Sequence, residues 1–178
     1  MKKVNVIGTT GSGKSSFSKR LANVMDAQYI HMDQLFWKPD WVESTDVEFF
    51  PKLERALSQS SWVLDGNYSR TNPIKWAHAD TIIWIDYAYS RTFFQLLKRT
   101  IVRATSKREL WVGTGNKESF VKSFMSKKSI LLWFFKNYRK NKTRYSELMR
   151  SPTLQNVRFI RLQSPKQVNQ FLKSLNVD

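Results

Sequence analysis

The stretch GTTGSGKS, residues 8–15, decides how the rest of the chain is read. It follows the apolar residues Val4, Val6 and Ile7 and leads into a helical pattern over Lys14–Met25. Gly8, Gly13, Lys14 and Ser15 fit G-x-x-x-x-G-K-[ST] in the strand-then-helix setting that this pattern needs. Glycines let the backbone curl so that successive N–H groups point into one hollow, and Gly11 adds room there. The helix that follows turns its positive end toward the same hollow. Thr9, Thr10, Ser12 and Ser16 complete the loop. Lys14 supplies a point charge for β- and γ-phosphates, and Ser15 offers a hydroxyl to Mg²⁺. The reading is a loop that holds the phosphate chain of a nucleotide. The competing reading is a Gly-rich turn that only caps a helix.

The base is read by elimination. No Asn-Lys-x-Asp guanine signature is present, since NKTR at 141–144 lacks the acid, and ATP is the expected nucleotide. Ser164 and Pro165, in SPK after the last β-rich run, either line the base through backbone contacts or form an ordinary turn before the last helix.

Composition bounds the alternatives. The 178 residues suggest one compact domain with room for an insertion. Hydrophobic residues make up 41% and aromatics 14%, which speaks against a disordered chain. The absence of cysteine excludes disulfides and thiolate metal sites. MKKVNVIG lacks the apolar core of a signal peptide, and ILLWFF at 130–135 is too short to span a membrane, so no membrane partner and a cytoplasmic location are expected. The formal charge is +16, unevenly spread. Residues 1–90 carry ten Lys/Arg and ten Asp/Glu, whereas residues 91–150 carry sixteen against three. That +13 segment calls for an anionic partner, or else for a solvated basic surface.

Near-continuous apolar runs at Val4–Ile7, Tyr29–Met32, Trp62–Leu64, Thr81–Ile85 and Val157–Leu162 read as parallel strands buried on both faces. Helical patterns lie between them: Lys14–Met25, Asp46–Ser58, Arg91–Thr105 and Val168–Leu175, with Pro51 implying a late start or a kink in the second. Strand–helix alternation predicts a doubly wound α/β sheet in three layers. The span between the fourth and fifth runs is longer than a crossover needs. Gly113 and Gly115 break its periodicity, and residues 129–150 look helical again. We read residues of about 104–150 as an insertion on a single domain covering 1–178.

Ligands of α/β sheets collect outside the carboxyl ends of the strands. Asp65 ends WVLD and is read as the carboxylate that orients Mg²⁺, with Gly66 allowing close approach. Asp33 ends YIHMD and is read as the group that positions an acceptor hydroxyl or takes its proton. Asp86 is read as structural, capping the helix that begins near Ser90. His31 reads as a core or supporting residue, and His78 as a surface one. Arg91, Gln95, Arg99 and Arg103 recur every four residues and share a helix face, suited to phosphate oxygens or simply to solvent. Arg139 and Arg144 lie across the insertion and would close on the same site as part of a lid. Phe36, Trp37, Trp41 and Tyr68 either wall an acceptor pocket or belong to the core.

With these residues in hand, the chain resembles the nucleoside and nucleotide kinases among P-loop proteins. More narrowly, it resembles the adenylate-kinase-like DNA topology modulation (FlaR-related) proteins. GTTGSGKSS, YIHMDQLFWKP, WVLDGNYSR, RTIVR and RLQSP carry the resemblance nearly end to end. It implies a five-stranded parallel sheet of order 2-3-1-4-5, an acceptor region after strand two and a helical lid after strand four. It implies Asp65 for magnesium, Arg70 of DGNYSRT for an acceptor phosphate, and Arg99 and Arg103 for ATP phosphates. Gly66 and Asn67 belong to the same acceptor stretch. The arginine that adenylate kinases carry after strand two is replaced here by MDQLFW, which argues against AMP. Asp33 followed by aromatics suits a hydroxyl-bearing small molecule instead. The expected activity is Mg-dependent phosphoryl transfer from ATP, with Lys14, Asp33, Arg99 and Arg103 in the chemistry. The alternative is an ATP-binding protein that meets nucleic acid through residues 91–150, with Trp111, Phe120, Phe124, Trp133 and Tyr138 stacking on bases.

Overall fold

The computed structural model describes residues 1–106, 109–111, 114–117 and 129–175; Gly113, Phe120 and Phe124 lie outside the described residues. Five parallel strands form one sheet in the order β2-β3-β1-β4-β5: β1 (Lys3–Gly8), β2 (Gln28–His31), β3 (Trp62–Asp65), β4 (Thr81–Ile85) and β5 (Arg158–Leu162). This is the predicted order. The central strand pairs on both sides, Val6 with Asp65 of β3 and Gly8 with Ile85 of β4. The phosphate loop therefore leaves the middle of the sheet, with the ends of β3 and β4 beside it.

Alternation along the strands sends side chains to two faces. Val4, Val6, Val63, Ile83 and Ile85 form one core with α1 (Lys14–Val24) and α7 (Pro165–Ser174). The opposite face carries two clusters. Leu64 and Trp62 pack with α3 (Asp46–Leu57), while Ile7, Ile82 and Trp84 meet Tyr145 of α6 (Ile130–Met149) and Trp76 of α4 (Asn72–His78). Asn5 is wholly buried within the apolar run of β1. Its amide donates to the carbonyls of Leu64 and Gly66, and its oxygen accepts from Trp76 Nε1 at 3.1 Å. A polar residue is tolerated there because each of its groups has a partner.

Element ends depart from the sequence reading in instructive ways. Met32 leaves β2 and opens a short helix, α2 (Met32–Phe36), so Asp33 sits in a first helical turn and not at a strand end. Pro51 neither delays nor divides α3. Thr45 and Glu48 form a reciprocal capping box that sets the start at Asp46. The carbonyl left without a donor by Pro51 belongs to Val47, which is 86% exposed and can turn to water. Ser164 caps α7, accepting from Gln167 N at 3.2 Å, with Pro165 in the first turn. The helix-start reading of that stretch is thus realised.

The predicted insertion divides in two. Residues through Ser106 continue α5 (Tyr89–Ser106), and α6 is anchored to the body. Phe134 and Tyr138 of α6 pack on Leu96 of α5, the Tyr138 hydroxyl donates to the Tyr87 carbonyl, and Tyr145 sits on Trp84. Of the chain between α5 and α6, residues 109–111, 114–117 and 129 are described.

Gly66 shows how tightly the end of β3 is packed. A Cβ built there would stand 2.5 Å from Met32 Sδ and 2.6 Å from its Cβ. The missing side chain makes room for Met32. Gly66→Ala should cost about 1–3 kcal/mol by overpacking, seen as a lower urea midpoint with an unchanged slope. An unshifted midpoint would show that Met32 can move aside.

Candidate active site

The phosphate loop is shaped from outside. Gly11 has φ of +81°, and an added Cβ would lie 2.6 Å from Leu96 Cβ and 2.7 Å from the Thr92 carbonyl. The loop is therefore pressed against α5 where only glycine fits. Asn67 grips its first residue by both backbone groups: the Gly8 N–H donates to Asn67 Oδ1 at 3.1 Å, and Asn67 Nδ2 donates to the Gly8 carbonyl at 2.5 Å. Asn67 thus positions the loop, with one of its N–H groups and its oxygen engaged there. Asn141 Nδ2 of α6 reaches Thr9 Oγ1 at 3.5 Å, and Arg99 Nη2 of α5 donates to Thr10 Oγ1 at 3.2 Å. Arg99 accordingly stands on the loop, with Arg103 one turn further along the same helix. Gly13 caps α1 in a left-handed conformation, and Lys14 and Ser15 follow it, half-buried at the helix start.

Charged groups converge beside this loop. Asp65 is 2% exposed. Its Oδ2 accepts from the Tyr29 hydroxyl at 3.1 Å and lies 3.4 Å from His31 Nε2. Its Oδ1 is buried and has no hydrogen-bond partner. Asp33 Oδ1 accepts from the Tyr68 hydroxyl at 2.7 Å. Burial lowers the His31 pKa below its usual value, against the opposing pull of Asp65 and Asp33, and the positive charges of Lys14 and Lys19 lower it further. Asp65 ends β3, pairing with Val6 of β1 just before the loop, and Asp33 follows His31 by two residues at the start of α2. Burial, reinforced by the facing carboxylates, raises both tyrosine pKa values, so Tyr29 and Tyr68 stay protonated and donate.

The donor set fits a magnesium ion held jointly with a nucleotide. The orphaned Asp65 Oδ1 is a buried oxygen in want of a cation or a water, and Ser15 opens the helix on the loop. No group of three or more metal-binding side chains exists among the described residues. Mg²⁺ bound through one carboxylate, waters and substrate phosphates needs no such group.

Aromatic residues close the opposite wall. Trp37, Trp41, Trp111 and His31 form a continuous chain of ring contacts, with centroids 5.6, 5.6 and 6.0 Å apart. Phe36 belongs to the core instead, packed on Phe49 and on the Tyr68 ring. Trp111 comes from the segment after α5. Its docking is fixed by Asn116, only 2% exposed, which accepts from Trp41 N at 2.9 Å and donates to the Lys38 carbonyl at 2.9 Å. Asp40 and Trp41 both have positive φ, 59° and 61°, so the acceptor loop is held in a conformation it would not favour alone.

Other expected residues are not gathered here. Arg70 pairs with Asp46 at 3.2 Å and lies over the Phe36 ring at 5.0 Å, directed to α3 and not to an acceptor phosphate. Arg139 is exposed on α6, away from the loop. Asp86 does not cap α5; it takes two hydrogen bonds from Arg161 of β5, whose guanidinium also covers Trp84. Among the described aromatics of the basic segment, Trp111 packs on His31 and the Tyr138 hydroxyl donates to the Tyr87 carbonyl, whereas Trp133 is exposed. Among the described residues no helix is long and apolar enough to cross a membrane.

One residue carried no signal in the sequence. Lys75 is fully buried on α4, where its Nζ donates to the Tyr68 carbonyl at 3.3 Å. Burial, with a contribution from Arg144, lowers its pKa to about 7.

No family model and no curated protein matches the chain. Solved structures do. An unliganded sugar kinase from Janibacter sp. is 14% identical with a TM-score of 0.50, covering 99% of this chain and 95% of that one. A gluconokinase from Sinorhizobium meliloti is 16% identical with a TM-score of 0.52, covering 98% and 89%. A shikimate kinase from Bacteroides thetaiotaomicron is 9% identical with a TM-score of 0.50, covering 97% and 94%. At such identities the likeness establishes a shared fold, the P-loop α/β fold that these kinases adopt. The narrower resemblance to topology modulation proteins has no family match behind it.

Lys75 yields a signed expectation. Its folded pKa of about 7 lies below the ordinary lysine value of 10.5, so between those limits the unfolded chain holds the extra proton. Stability should therefore rise as pH increases from about 7 to about 9.5, before unfolded tyrosines begin to ionise and oppose it. Lys75→Met should flatten that rise and raise the melting temperature at pH 7. A slope retained in the variant would assign it to another group.

Proposed function

We propose that this chain is an ATP-dependent phosphotransferase acting on the hydroxyl of a small molecule. The observation that carries the reading is the pair of carboxylates at the end of β3 and just beyond β2, Asp65 with one bare buried oxygen and Asp33 held by Tyr68, next to a phosphate loop pressed between Asn67 and α5. Arg70 is turned to Asp46 and to the Phe36 ring, and the arginine that adenylate kinases carry after strand two is replaced here by MDQLFW, which favours an uncharged hydroxyl over AMP.

The chain's own groups divide the work. Tyr68 occupies Oδ1 of Asp33, which leaves Oδ2 to accept a hydrogen bond from the acceptor hydroxyl. As the hydroxyl oxygen attacks the γ-phosphorus, its proton passes to Asp33 and the bond to the leaving ADP oxygen breaks. Lys14 and Arg99, with Arg103 behind, balance the charge that spreads over the transferred group. Ser15 and Asp65 would hold Mg²⁺, which when bound neutralises charge on the β- and γ-oxygens. Trp111 and its neighbours keep water from competing with the acceptor. Ser164 and Pro165 remain the backbone candidates for the edge of the adenine site.

Three variants test this reading against a panel of hydroxyl-bearing metabolites, with ADP release as the measurement. Lys14→Ala should abolish ATP binding with the fold intact. Asp33→Asn should lower kcat by about 10²–10⁴ while the KM for ATP moves little. Tyr68→Phe frees Oδ1 without removing the base, so a loss of roughly tenfold is expected. If no panel member raises turnover above the rate with ATP alone, the transferase reading falls.

A further inference from the structure

Behind the loop after β3, helices α4 and α6 enclose a cavity of about 30 Å³ over Ile7, on the sheet face away from α1. Its polar lining is Asn67, Ser69, Asn72, Lys75 and Arg144. Lys75 forms the inner wall and is wholly removed from solvent. Its one hydrogen bond, to the Tyr68 carbonyl, is long at 3.3 Å and leaves two ammonium protons unused. Arg144 stands at the mouth, where Nη2 donates to Asn141 Oδ1 at 3.2 Å and to the Tyr145 hydroxyl at 2.9 Å. Neither cation forms an ion pair with a carboxylate among the described residues; the ion pairs present lie elsewhere.

Two positive groups thus face one small cavity with no counter-charge. Such an arrangement is costly twice over, through desolvation of the ammonium and through repulsion by the guanidinium. A single anion between them would offset both. The amide and hydroxyl groups of Asn72 and Ser69 supply neutral donors for its remaining lone pairs. The volume, about that of two waters, admits a carboxylate head and excludes bulkier anions. We propose that this cavity is a binding site for a carboxylate group, held by Lys75 and Arg144. It is separate from the phosphate loop, and it does not depend on the phosphotransferase reading.

The carboxylate can belong to a free small ion or to a larger acid whose body stays outside the mouth at Arg144. Formate and benzoate separate these sources. Each is titrated into the full chain by calorimetry and by thermal melting, in a buffer whose counter-anion is a bulky sulfonate. One binding event is expected, with a melting temperature raised by a few degrees at saturation. Benzoate binding as well as formate would assign the site to larger acids, and formate binding alone to a free ion. Lys14→Ala should keep the effect, because the phosphate loop takes no part. Lys75→Met should abolish it without lowering the starting melting temperature, and Arg144→Gln should weaken it at least tenfold. Absence of heat and of any shift in the wild type, loss of binding in Lys14→Ala, or full binding in Lys75→Met would each overturn the proposal.

Discussion

The side-chain amide of Asn67 holds both the N–H and the carbonyl of Gly8, and much of the site is built outward from that grip. It ties the exit of β1 to the loop after β3 across 59 residues of sequence. The same short loop carries Tyr68, which orients Asp33, and offers the carbonyl that receives Lys75. On the far side the loop is limited by Leu96 and Thr92 of α5. The hollow for phosphate is therefore a gap of fixed width. A backbone cradle of this kind acts through preorganisation: its N–H groups are already aimed, and no reorganisation is needed when charge develops.

Electrostatics then assigns distinct parts to similar groups. Asp65 and Asp33 are both steadied by a tyrosine hydroxyl, but Asp65 is sealed in and keeps one bare oxygen, while Asp33 is half-buried beside the aromatic wall. The first arrangement suits a cation and the second a proton in transit. His31 lies between them, kept neutral by burial, so it adds no lasting charge to the balance. The excess basicity of residues 91–150 divides as well. Arg99 goes to the loop, Arg144 to the rear cavity, and Arg139 to solvent.

What the sequence discloses depends on how local the cause is. The phosphate loop is a contiguous pattern with its strand and helix attached, and it was legible in full. The sheet order came with a family resemblance spread over the whole chain, and Asp33 and Asp65 were singled out by the apolar runs that precede them. Asp86 was misread because its partner Arg161 is 75 residues away, on a strand whose neighbour is known only once the sheet is assembled. Arg70 was drawn to Asp46 by an ion pair between two exposed groups, which no spacing rule signals. Gly66 and Asn67 were recognised as special, yet their partners, Met32 and Gly8, turn out to be parts of the protein itself. Lys75 gave no signal, since a lysine in a short helix is ordinarily exposed and nothing local forces it inward.

The Asn116 side chain makes one structural unit of two stretches far apart in sequence. One amide joins the segment bearing Trp111 to the backbone of Lys38 and Trp41. The left-handed pair Asp40–Trp41 lies inside that unit, its second N–H taken up by Asn116 Oδ1. Truncating this single amide would loosen both stretches at once.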